Sequence, residues 1–109
     1  MYDEGGHFSG NWKSKEAEMT VEDAPSAGGR YLVNIKFKDS GEMWIYECRY
    51  SEEAGGLKSD QGVHTVYFAD GTTSTVREER AEFHLESDKI QWTNLNGDTG
   101  NGMVFKKSK

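Results

Sequence analysis

Apolar and polar residues alternate along most of this chain with the period of two that an extended strand imposes, since successive side chains point to opposite faces of a sheet. From Glu16 to Glu22 the small or apolar Ala17, Met19 and Val21 alternate with Glu16, Glu18, Thr20 and Glu22. Tyr31, Val33, Ile35 and Phe37 alternate with Leu32, Asn34 and Lys36, and after the Asp39-Ser40-Gly41 turn the pattern returns as Trp44, Tyr46, Cys48 and Tyr50. These two runs read as a hairpin. Between the first two runs, Asp23 to Gly29 holds the single proline and two glycines and reads as a loop.

Further on, Ala54-Gly55-Gly56 leads into a short strand at Leu57 to Ser59, and Gly62 precedes Val63 to Ala69, with Val66 and Phe68 expected to face inward beside His64. Asp70-Gly71 is a strong two-residue hairpin signal, for which a type I′ turn is expected. Thr72 to Glu78 then returns as an exposed or edge strand, because its inward face is poor in apolar residues. Arg80 to Glu86 turns Ala81, Phe83 and Leu85 inward, Ser87-Asp88 turns, and Lys89 to Thr93 turns Ile90 and Trp92 inward. A loop from Asn94 to Gly102 precedes the last strand, Met103 to Lys107. No helix longer than a turn is required.

At the front, Phe8-Ser9-Gly10-Asn11-Trp12-Lys13 places Phe8, Gly10 and Trp12 on one face. The missing side chain at Gly10 leaves room for a large neighbour beside Trp12. About 8–10 short strands in a meander, each with one apolar face, bury their edges most economically by closing into a barrel. The expected fold is all-β, a single antiparallel up-and-down barrel over residues 1–109, with residues 1–6 as a linker. An open sandwich is the alternative.

The strand-one Gly10-x-Trp12 followed by an up-and-down meander resembles the calycin group, which includes the lipocalins. In that pattern a basic residue of the last strand packs across the tryptophan, and Lys106 or Lys107 stands where an arginine is usual. The whole chain is similar to small lipocalin-like domains of secreted bacterial proteins. The resemblance implies a barrel with a tendency to bind apolar molecules, and an extracellular or cell-envelope location, with the cytoplasm left open.

An eight-stranded barrel is either filled by its own side chains or holds one small ligand. Trp12, Tyr31, Phe37, Trp44, Tyr46, Tyr50, Phe68, Phe83, Trp92 and Phe105 all point inward by alternation, which favours a filled interior. If a pocket is present, Tyr31, Trp44, Tyr46 and Tyr50 are its expected lining, because aromatic faces supply apolar area and tyrosine hydroxyls orient a polar group. Gly10 and Trp12 are the expected plug.

Charge and chemistry narrow the partners. With 13 basic and 19 acidic residues the net charge is −6, which argues against nucleic acid or an anionic membrane as partner. No stretch is long and apolar enough to insert in a membrane as a helix. A small apolar ligand is the expected partner; the sequence leaves oligomeric state open. Cys48 is the single cysteine and is expected to be a buried, unreactive thiol. His7, His64 and His84 lack the spacing of a metal site, with His84 on a solvent face and His64 in the core or at its rim. Asn94 to Gly102 alternates oxygen side chains as a calcium loop does, but Thr99 stands where glycine is needed and Phe105 where an acid is needed. No cofactor or metal is expected, and no catalytic motif is present. The leading expectation is a non-catalytic binding module; the alternative is a structural or protein-interaction accessory domain with a filled barrel.

Overall fold

The computed structural model describes residues 10–24, 30–39, 41–51, 56–86, 89–95 and 102–107. The expected inward Phe8, His7, the 1–6 linker, the glycine turn at 54–55, the Ser87-Asp88 turn and most of the Asn94 to Gly102 loop lie outside them. Eight strands follow one another: β1 (Gly10–Lys13), β2 (Ala17–Ala24), β3 (Arg30–Phe37), β4 (Met43–Ser51), β5 (Gly56–Tyr67), β6 (Thr73–Glu86), β7 (Lys89–Asn94) and β8 (Met103–Lys107). Each pairs antiparallel with the next, and β8 returns to β1 through Trp12 opposite Lys107 and Lys13 opposite Lys106. The result is the closed meander barrel that the alternation predicts, and not a sandwich.

The inward faces meet as one core. Trp12, Ala17, Met19, Val21, Tyr31, Val33, Ile35, Trp44, Tyr46, Cys48, Leu57, Ala81, Phe83, Ile90, Trp92 and Phe105 are all buried, with Phe37, Tyr50, Leu85 and Met103 packed against them. Removing this much aromatic and aliphatic surface from water is the dominant favourable term for a domain of this size. The alternation inside each of β2, β3 and β4 is therefore the alternation of core and solvent.

Asp23 and Ala24, expected in a loop, continue β2 opposite Tyr31 and Arg30, and four larger expectations fail in the β5–β6 region. The short strand at Leu57 and the one at Val63 are a single β5, and the stretches at Thr72 and Arg80 are a single β6. The join is a bulge, where the register shifts between Ser59 and Gly62 and again between Gly62 and Val63. Glu78, opposite this break, adopts a left-handed φ of 61°, which is uncommon for a residue with a side chain. A Cβ on Gly62 would run into the Tyr46 ring, so the chain crosses the bulge only with glycine there.

Beyond the bulge β5 still pairs with β4 as far as Thr65, opposite Met43, while β6 leaves the barrel wall. β7 pairs with β6 only from Ala81 to Glu86, so Thr73 to Glu79 has no second strand beside it among the described residues. A 14-residue strand spans about 45 Å at 3.3 Å per residue, close to the 50 Å long axis of the molecule. Phe68, expected inward, is half exposed, as are Tyr67 and Val76, because among the described residues no opposite strand covers them at this height. The expected type I′ turn is also absent. Phe68 N–H donates to the Thr72 carbonyl at 2.9 Å and Gly71 N–H to the Phe68 carbonyl at 3.0 Å, and only Gly71 has positive φ. Three residues, not two, close the hairpin, with Gly71 in the left-handed position of a three-residue loop.

Candidate functional site

The strand-one signature builds a local device. Gly10 has φ +128°, and a Cβ there would fall on the ammonium of Lys107. Lys107 crosses this space to place its Nζ 4.7 Å from the centre of the Trp12 ring, a distance at which a cation is attracted to the ring face. Of the two expected lysines, Lys107 therefore takes the position over the tryptophan. Trp12 is buried beneath it, at the seam where β1 and β8 close the barrel.

Tyr31, Trp44, Tyr46 and Tyr50 all lie on the inner face of the neighbouring strands β3 and β4. Tyr31, Trp44 and Tyr46 are buried in the core and Tyr50 is half-buried against it. Trp44 meets Trp92 edge to face at 5.1 Å and Phe37 at 5.4 Å; Tyr46 meets Phe83 at 5.4 Å and Trp92 at 6.3 Å, again edge to face. These are the offsets that aromatic quadrupoles favour. Trp44 Nε1, Tyr46 Oη and Trp92 Nε1 are buried without a hydrogen-bond partner. Burial holds the Tyr46 phenol well above its ordinary value of 10.0, the adjacent Trp92 indole opposes this, and the Glu79 charge adds to it. Cys48 is a free, buried thiol whose ionisation burial pushes far above its ordinary 9.0, with Ser59 opposing. A thiol so placed is inert as a nucleophile.

At the rim, His64 lies flat on Trp44, with ring centroids 3.8 Å apart and planes 4° from parallel. Its Nε2 is 3.4 Å from Glu42 Oε2. Both faces of its chemistry are thus engaged by neighbours, one apolar and one anionic. His84 sits on the outer face with Nε2 3.4 Å from Glu82. No group of three or more metal-binding side chains converges among the described residues.

Sequence reasoning missed two residues here. Glu42 reaches His64 because Trp44 pairs directly with His64 across β4 and β5, a register invisible before the hairpins are aligned. Glu79 is only 8% exposed, brought opposite Gly62 by the bulge. Its signal was present only as a glycine in a strand, which marks a bulge or a close approach.

Three of the hollows formed by described residues open to the outside, and none of these three is lined by Tyr31, Trp44, Tyr46 or Tyr50. Two carry mixed charge: one joins Glu47, Arg49, Lys58 and Asp60, the other Lys58, Asp60, Arg80 and Glu82. Comparison of the chain with protein-family models, curated proteins and solved structures finds no match.

Proposed function

We propose that the chain is a small lipocalin-like barrel acting as a non-catalytic binding module through its outer surface, with the interior as scaffold. The observation that carries this reading is the packing of Trp44, Tyr46, Phe83 and Trp92 against one another inside the wall, each 0–1% exposed. A ligand chamber needs rings that face a space, and these rings face each other. Cys48 and His64 support the non-catalytic part, the thiol because burial keeps it protonated and the imidazole because Trp44 and Glu42 hold it in place.

A second reading, a small ligand within the barrel, is favoured by one observation. Trp44 Nε1 is a buried donor without an acceptor, and the Tyr46 hydroxyl, beside the Trp92 indole, donates to no group, whereas buried donors are ordinarily satisfied. A ligand carrying an oxygen acceptor beside an apolar body would meet that need.

Titration with fatty acids and retinoid-type probes separates the two, read by tryptophan emission and by melting temperature. The scaffold reading predicts no saturable change in either at high micromolar probe. Saturable quenching with a rise in melting temperature, abolished in Trp44→Phe, overturns it in favour of the internal ligand.

A further inference from the structure

The third hollow differs from the other two in having only one sign of charge. It has a volume of about 440 Å³ and is lined by Lys13, Ser14, Lys15, Lys38, Val104 and Lys106. Four lysines line it and no acidic residue does, in a chain whose net charge is −6. Its size falls in the range of small-molecule clefts. From this hollow we propose that the chain binds a small multivalent oxyanion of the condensed-phosphate class at the seam of the barrel.

The backbone that carries the lysines is fixed by hydrogen bonds and strand pairing. Ser14 N–H donates to the Ala17 carbonyl at 2.8 Å, and the Ser14 hydroxyl oxygen accepts from the N–H groups of Glu16 and Ala17, each at 3.2 Å. The turn carrying Lys15 is thereby fixed. Lys38 N–H donates to the Glu16 carbonyl at 3.0 Å, which ties the β3–β4 turn to the β1–β2 turn and brings Lys38 beside Lys15. Closure of the barrel sets Lys13 directly opposite Lys106, and Lys106 is in turn opposite Lys89.

Like charges directly opposite across strands are destabilising. Lys13 and Lys106 are both exposed on the outer face, and among the described residues neither forms an ion pair. Glu18 is the cross-strand neighbour of Lys13 on its other side and, with Glu16, lies on β2 or its turn outside the lining of the hollow. Glu18 offsets the charge of Lys13 on one side, and a bound anion would relieve the Lys13–Lys106 juxtaposition on the other. A compact ammonium carries three donors, so four of them suit a ligand with many acceptor oxygens in a small volume. A long polyanion fits less well, since it would run from the hollow onto Glu16, Glu18 and Glu22, all exposed. The proposal goes beyond the scaffold reading and is independent of it, because the hollow lies outside the wall whether or not the interior holds a ligand.

The test is melting temperature and calorimetric titration with sodium tripolyphosphate, against sodium chloride of matched ionic strength. For the wild type, saturable binding and a rise in melting temperature are expected. In Lys38→Gln/Lys106→Gln, the melting temperature without ligand should equal or exceed that of the wild type, and affinity should fall at least tenfold. Lys58→Gln, which alters the mixed-charge hollows, should bind as the wild type does. Equal binding by all three proteins, or no response of the wild type beyond that to sodium chloride, overturns the proposal. Sedimentation with phosphatidylserine vesicles separates the source of the anion: pelleting without binding of free tripolyphosphate would assign the lysines to a lipid surface and also overturn it.

Discussion

β6 runs through two environments, and the same strand behaves differently on either side of the bulge, while β5 stays paired with β4 as far as Thr65. Below it, Leu57, Ser59, Ala81 and Phe83 are buried, facing an opposite wall; above it, every residue from Thr73 to Glu78 is exposed. Composition is not the cause. Val76, Tyr67 and Phe68 are as apolar as residues of the core, yet each is half exposed. What differs is the presence of a second layer, because a strand face becomes core only where another face covers it. The projecting edge carries the charged Arg77, Glu78 and Glu79 and the left-handed Glu78 at the bulge, features of the kind that protect an open edge.

The comparison breaks most visibly at the ring cluster. Trp92→Ala removes the ring that touches Trp44, Tyr46 and Phe37 and should cost about 3–5 kcal/mol, as core aromatic truncations do. Denaturant titration measures this directly, and a loss under about 1 kcal/mol would mean that the interior is not closely packed.

A smaller effect should appear in alkali. Cys48 and Tyr46 have ionisations raised by burial in the folded state from ordinary values of 9.0 and 10.0. The unfolded chain therefore releases protons first, and the stability held below pH 9 is lost as pH rises above it. The slope approaches about 1.4 kcal/mol per pH unit for each group once its unfolded form has ionised. Urea titrations from pH 7 to 11 should show this decline, and Cys48→Ala should delay its onset by about one pH unit. A flat profile would mean that water reaches both groups.

The smallest effect belongs to the projection. Phe68→Ser alters an apolar side chain without a covering layer and should change stability by no more than about 0.5 kcal/mol. A loss comparable to that of Trp92→Ala would show that the hairpin folds back onto the barrel.

The same contrast explains what was legible in the sequence. Ala17, Met19 and Val21, the β3 run from Tyr31 to Phe37 and the β4 run from Trp44 to Tyr50 are simple alternations facing one core, so period and burial coincide. Gly10 and Trp12 share a face by the same alternation, whereas the basic residue over Trp12 was expected only from the family resemblance, which left Lys106 and Lys107 both open. Phe68 was misplaced because alternation states which face a residue takes, not whether that face is covered. The bulge had a different effect: the register shifts between Ser59 and Val63 change the inward set from Leu57 and Ser59 to Gly62 and His64, which made one strand read as two. The convergence of Lys13, Lys15, Lys38 and Lys106 was invisible because two turns and the closing strand bring it about, and no local pattern encodes ring closure.

Native-state hydrogen exchange tests the contrast between walled and projecting strand most directly. Amides of the ladder around Tyr46, Phe83 and Trp92 should exchange only through global unfolding and share one free energy of opening. The amides of Thr73 to Glu79 that face away from β5 should exchange orders of magnitude faster, through local opening or none. Equal protection on both sides of the bulge would contradict the account, showing that a layer covers the projection or that the barrel body opens as readily as its hairpin.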